Sequence, residues 1–106
     1  MSYFIPAEDR VRFSDERYTK IDVAAGEYLF VGLNCFQPGQ VQDLHDHPGR
    51  DKCYIVLDGQ GAFTVGDETR EVGRGWVIFA PAGVPHGIVN GRKERLIVLT
   101  AIAPAP

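Results

Sequence analysis

Gly39-Gln-Val-Gln-Asp-Leu-His45-Asp46-His47-Pro48-Gly49-Arg-Asp51-Lys52-Cys-Tyr-Ile-Val-Leu-Asp58-Gly59 is the stretch on which the reading of this chain turns. Residues at i and i+2 of a strand point to the same face. His45 and His47 therefore face one way, with Asp46 facing the other. Two neutral imidazoles side by side form a metal-ligand arrangement. Pro48-Gly49 breaks the strand and opens a turn. Lys52 to Leu57 follows, rich in β-formers and closed by Asp58-Gly59.

Outward from this stretch the same grammar continues. Val11–Phe13 and Thr19–Val23 alternate as strands do, so residues 1–26 read as N-terminal strands joined by polar Asp15-Glu16-Arg17. Glu27 to Phe36 is a long β-favouring run ended by Gln37-Pro38-Gly39, with Gly32 marking a bulge or bend. Gly59-Gln-Gly61, Gly66-Asp67 and Gly73-Arg-Gly75 mark tight turns between short strands. Pro81 to Pro85 is a rigid loop, and Asn90-Gly91 is a hairpin signal. Leu96-Ile-Val-Leu99 is continuously apolar, which indicates burial on both faces. The tail, residues 103–106, reads as extended and loose. The 12 glycines and seven prolines punctuate strand-length runs, and no window holds a helical apolar period. Pattern alone gives an all-β fold, a barrel or sandwich of short strands.

At 106 residues the chain reads as one domain, 1–106, with one modest core. The net charge of −3 and scattered acidic residues argue against a nucleic-acid partner, which needs a basic patch. No run approaches the ~20 apolar residues of a spanning helix, so no membrane partner is expected. The N-terminus has no apolar stretch of signal-peptide length. Cys35 and Cys53 sit in apolar strand-like runs, and both are read as reduced thiols in a cytoplasmic protein.

The chain has three histidines, and the third, His86, lies in Gly75-Trp-Val-Ile-Phe-Ala-Pro81-Ala-Gly83-Val-Pro-His86-Gly-Ile-Val-Asn90. Two stretches, 39–59 and 75–90, resemble the two motifs of the cupin family. Gly39, His45, His47 and Gly59 fit the first motif; Gly75, Pro81, Gly83, His86 and Asn90 fit the second at every position. The resemblance covers about half the chain. It implies a single-domain cupin β-barrel, a jelly-roll-like double-stranded β-helix, with one metal in its mouth held by His45, His47 and His86. Three imidazoles suit Fe, Mn, Co, Ni, Cu or Zn, and three protein ligands leave positions open for water or substrate.

The motif's glutamate is absent, and Lys52 stands in its place. By parity Lys52 shares a face with Tyr54 and Val56. A lysine ammonium is no ligand while charged, and a nearby cation depresses its pKa. Three readings stay open: Lys52 binds an anionic substrate group and takes a catalytic role beside the metal; it weakens or abolishes metal binding; or it turns to solvent while Asp51 supplies a carboxylate. Among the aromatics, most are expected in the core, with Tyr54 and Trp76 as candidates to line a pocket. Asn90 is expected to fix a turn and Asp46 to be solvated.

A three-histidine site with open positions resembles that of thiol-dioxygenase-type cupins, which implies a metal-dependent, dioxygenase-like oxidoreductase, and Lys52 adds the expectation of a small anionic organic substrate. The alternatives are a non-catalytic small-ligand-binding or sensor module, and a cupin isomerase or lyase. The apolar run Leu96–Leu99 also leads to the expectation of a homodimer, since it carries more apolar surface than one small barrel easily hides.

Overall fold

The computed structural model describes residues 2–106. Nine strands form: β1 Thr19–Ala25, β2 Phe30–Phe36, β3 Val41–His45, β4 Asp51–Asp58, β5 Gln60–Val65, β6 Glu68–Gly73, β7 Val77–Ala80, β8 His86–Val89 and β9 Leu96–Ala103. All pairings are antiparallel. A five-stranded sheet in the order β1-β2-β9-β4-β7 faces a four-stranded sheet in the order β3-β8-β5-β6. The all-β expectation holds.

Each sheet buries its inner face against the other. Phe36, Tyr54, Val56, Phe63, Ile88, Leu96 and Val98 fill the space between them, joined by Tyr18 and Val72. In β4 burial alternates strictly, with Lys52, Tyr54 and Val56 inward. Strand β9 lies between β2 and β4, which explains its continuous apolar run: Leu96 and Val98 point into the core, and Ile97 and Leu99 point outward.

Among the described residues up to 26, only Thr19–Ala25 is a strand, and Ala7–Arg10 is a short 3-10 turn. Val11–Phe13 is not a strand. Its alternation lays Val11 and Phe13 on the outer face of the five-stranded sheet, over Ile21, Leu33, Cys35, Ile97 and Leu99. Alternation reports which side chains are buried, not which backbone groups are paired, so it served coverage here instead of a ladder.

The bulge suggested by Gly32 lies on its partner strand. The β1–β2 register shifts between Asp22 and Ala24, beside Gly32. At the β4–β5 hairpin, Gly59 has φ +84°, and a Cβ there would lie 2.2 Å from the Arg95 carbonyl oxygen, so no other residue fits. Several aromatics expected in the core are at the surface: Tyr28, Trp76 and Phe79 are all more than half exposed. β7 is an edge strand, and Val77 and Phe79 stand on its outward side.

Candidate metal centre

His45 ends β3 and His86 opens β8, and the two are directly paired across the ladder. His47 lies just beyond β3, in the turn through Pro48-Gly49, where Gly49 has φ +76°. The His47 carbonyl accepts hydrogen bonds from Arg50 N–H at 3.1 Å and Gly83 N–H at 3.3 Å. That ties the turn to the Pro81–Pro85 loop leading into His86. Asp51 reinforces the loop, its carboxylate accepting the Ala82 N–H at 2.9 Å. Asp51 therefore serves the loop, and the reading in which it replaces Lys52 at the site does not hold.

The three rings converge. Their centroids lie 4.4 Å apart for His45–His86, 4.9 Å for His45–His47 and 5.3 Å for His47–His86. One ligand nitrogen from each falls within 4.8 Å of the other two. Nitrogens ~2.1 Å from one ion are at most about 4.2 Å apart, so a side-chain adjustment of a fraction of an ångström closes the set.

The hydrogen bonds fix which nitrogens are available. His45 Nδ1 lies 2.8 Å from the Asp43 carbonyl, and His86 Nδ1 lies 2.9 Å from the Val84 carbonyl. A carbonyl only accepts, so each Nδ1 carries the proton and donates it. Each Nε2 is then an unprotonated lone pair aimed inward, the tautomer a metal requires. The Nε2 atoms of His47 and His86 are buried with no hydrogen-bond partner. Such orphans carry a cost of about 1–3 kcal/mol each unless something satisfies them. A transition-metal ion does so with the right donor chemistry, so the residues fit the group.

Burial disfavours the charged form of two of the rings, His47 and His86. Burial, assisted by the charge of Lys52 and the neighbouring histidines, lowers the His47 pKa to about 4. Burial likewise lowers His86, against an opposing effect of the Val84 hydrogen bond. No carboxylate belongs to the cluster.

Lys52 points inward and is only 5% exposed. Its ammonium lies 4.7 Å from the centre of the Tyr54 ring, which also neighbours Phe63 at 5.6 Å and His86 at 5.9 Å between centroids. It lines a cavity of about 160 Å³ together with His45, His47, Asn34, Gln42 and Thr100. Tyr54 is fully buried and belongs to the floor of the site. Trp76 does not reach it; it lines a groove at the far edge, with Phe63 and Phe79. Asn90 fixes a turn: its side-chain amide donates to the Glu94 carbonyl at 2.9 Å and the Gln37 carbonyl at 3.2 Å. Asp46 is exposed.

Gln42 is the site residue that sequence reasoning missed. Its Oε1 accepts the Tyr54 hydroxyl at 2.5 Å, and its Nε2 donates to the Tyr18 hydroxyl at 3.2 Å. In a regular strand Gln42 and His45 would face opposite ways. The β3–β8 register shifts between them, so Asp43 and Leu44 together oppose Gly87 and both Gln42 and His45 turn inward. Gly87 permits this, since a Cβ there would lie 2.8 Å from the Gln42 carbonyl oxygen. A glycine directly after His86 was the available signal.

A family model described as "Cupin domain" matches residues 32–102. The chain belongs to the cupin family. An uncharacterized protein of Streptomyces coelicolor is 39% identical over 76 residues, 72% of this cupin and 70% of the relative. Among solved structures, TT1209 from Thermus thermophilus superposes with a TM-score of 0.94 at 34% identity, covering 99% of this chain and 100% of that one. An uncharacterized conserved protein with a double-stranded beta-helix domain, from Klebsiella pneumoniae, gives a TM-score of 0.92 at 24% identity over 98% of this cupin and 91% of its own chain. The jelly-roll-like double-stranded β-helix expected for a cupin is therefore the fold observed.

Proposed function

We propose that this cupin holds one divalent transition-metal ion on His45, His47 and His86 and acts on a small anionic organic molecule, with dioxygenase-like oxidation as the reaction class. The observation that carries the metal reading is the pair of buried Nε2 atoms, on His47 and His86, that no protein group satisfies. A bound Fe, Mn, Co, Ni, Cu or Zn ion would supply Lewis-acid or, for the redox metals, dioxygen-activating chemistry at positions the protein leaves open.

The chain's own groups set the terms for a substrate. The Asp43 and Val84 carbonyls hold two rings in the ligating tautomer. Ile102 adds apolar lining to the inner cavity. Lys52 provides positive charge there, in the role of a substrate-binding group. Free Cys35 and Cys53 support a cytoplasmic location. The outward face of the five-stranded sheet supports a homodimer. There Leu99 pairs with Ile55 and Ile55 with Val77, giving an apolar row that ends on exposed Val77. Light scattering at micromolar concentration tests the dimer, and a monomer contradicts it.

The activity is tested by oxygen consumption with the metal-loaded protein and a panel of thiols, 1,3-diketones and phenols. Turnover that disappears in His86→Ala supports the reading. Full metal occupancy with no oxygen uptake across the panel contradicts the oxidative reading and favours the ligand-binding module or a cupin isomerase or lyase.

A further inference from the structure

The cavity beside the histidines contains a second recognition element, made of lysines. Lys52 is 95% buried by exposure, yet ion pairs among the described residues join only Arg70 to Glu68 and Arg92 to Glu71. An ammonium removed from water without a carboxylate partner is a costly arrangement. A second ammonium stands nearby. Lys20 projects from the inward side of β1, lines the same cavity, and is close enough for its charge to act on Lys52. Lys20 is exposed and Asp22 also lines the cavity, yet among the described residues no carboxylate lies within ion-pair distance of either ammonium. Asn34 and Thr100 stand at the same wall and are themselves buried. Burial, with the Lys20 charge adding to it, lowers the Lys52 pKa to about 8.

We infer that Lys52 and Lys20 form an anion-binding point separate from the three histidines, and that the natural ligand is a short dianion, a dicarboxylate or a carboxylate with a second acidic oxygen, held by one charged end on the lysines and by the other at the histidine centre. Two observations set the class. The lysines recognise negative charge, and a group bound at the histidine centre would itself be an oxygen donor to a cation. The cavity volume of about 160 Å³ limits the size. A space of that size suits a short, unbranched acid such as malonate or succinate over a long or branched one.

The lysine half of this inference does not depend on a metal, whereas the two-ended half rests on the metal reading proposed above, and the test separates them. Metal-free protein, dialysed free of chelator, is titrated calorimetrically with malonate, succinate, acetate and the neutral malonamide. The two dicarboxylates and acetate are expected to bind and malonamide not to bind. Lys52→Met, which keeps the stem and removes the charge, is expected to weaken anion binding at least tenfold, and Lys20→Met several-fold. Lys52→Gln serves as a second variant should Lys52→Met fail to fold. The titrations are repeated on metal-loaded protein. There the dicarboxylates are expected to gain at least tenfold over acetate, a gain that His45→Ala abolishes. Equal binding of malonamide and malonate, or unchanged anion binding in the Lys52 variants, overturns the lysine site. Anion binding to the metal-free protein without a dicarboxylate gain on loading overturns the two-ended ligand and leaves the lysine site standing.

Discussion

His45 and His86 are direct partners across the β3–β8 ladder, and each donates its Nδ1 proton to the carbonyl two residues before it, Asp43 for one and Val84 for the other. The same local device on two strands sets both Nε2 lone pairs toward one point, 4.4 Å between ring centroids. Because backbone, not side chain, fixes the tautomer, the arrangement exists before any metal arrives. His45→Ala and His86→Ala are each expected to lower metal affinity by at least a hundredfold while the far-ultraviolet circular dichroism stays that of the wild type. Competition titration against a chelator reads the affinity. Affinity within threefold of wild type in either variant removes that ring from the ligand set.

Acid sensitivity follows from the same rings. The folded pKa of His47 is about 4, against 6.5 for an ordinary histidine. Between those values the unfolded chain binds a proton that the folded chain does not, so stability falls as pH falls through that window. His86 is shifted in the same direction. Metal-free protein is therefore expected to lose stability from about pH 6.5 down to about pH 4 more steeply than His47→Ala does. Urea denaturation of both proteins at half-unit pH steps measures the difference. Identical pH profiles for the two proteins would show that His47 titrates as it does in the unfolded chain.

Lys52 should work against the metal. Two unit charges ~4 Å apart at an effective dielectric of ~20 repel by about 4 kcal/mol, so a charged lysine that close costs orders of magnitude in affinity. Lys52→Glu, which restores the family's carboxylate, is expected to raise metal affinity. Lys52→Met is expected to raise it less, since it removes repulsion without adding attraction. The order wild type, Met, Glu in chelator competition is the predicted result. Unchanged affinity in both variants would mean that the ammonium does not act on the histidine centre.

Gln42 links the site to the core. Removing it leaves the buried Tyr54 hydroxyl without its acceptor, at a cost of about 1–3 kcal/mol. Gln42→Leu is expected to lower the melting temperature by several degrees. Adding Tyr54→Phe removes the stranded hydroxyl, so the double variant is expected to be more stable than Gln42→Leu alone. A double variant whose loss equals the sum of the two single losses would contradict a hydrogen bond between them.

Much of this was legible in the sequence. The strand-length runs and their Gly and Pro punctuation gave the all-β fold, because turn chemistry is local. The histidine spacing gave the convergence, because the two motifs fix where β3 ends and β8 begins. Lys52 was placed inward by parity in an unbroken strand, and there parity held. It failed at Gln42, where the bulge opposite Gly87 inverts the phase of β3, since a one-residue insertion depends on pairing across strands. It failed too at Val11–Phe13, whose alternation covers a sheet instead of extending one. Phe79 was read with the core aromatics because it is large and apolar, and Trp76 as a candidate to line a pocket. Their exposure follows from β7 lying at a sheet edge, which is a fact of topology that no local pattern encodes.

The central claim is that the three histidines hold a metal, and elemental analysis of protein purified without added metal and without a histidine tag tests it most directly. The account predicts about one transition-metal ion per chain in the wild type, removed by chelator, restored on adding the same ion, and absent in His86→Ala. A wild-type protein that emerges metal-free, and takes up none of Fe, Mn, Co, Ni, Cu or Zn when each is offered at equimolar concentration, would contradict it.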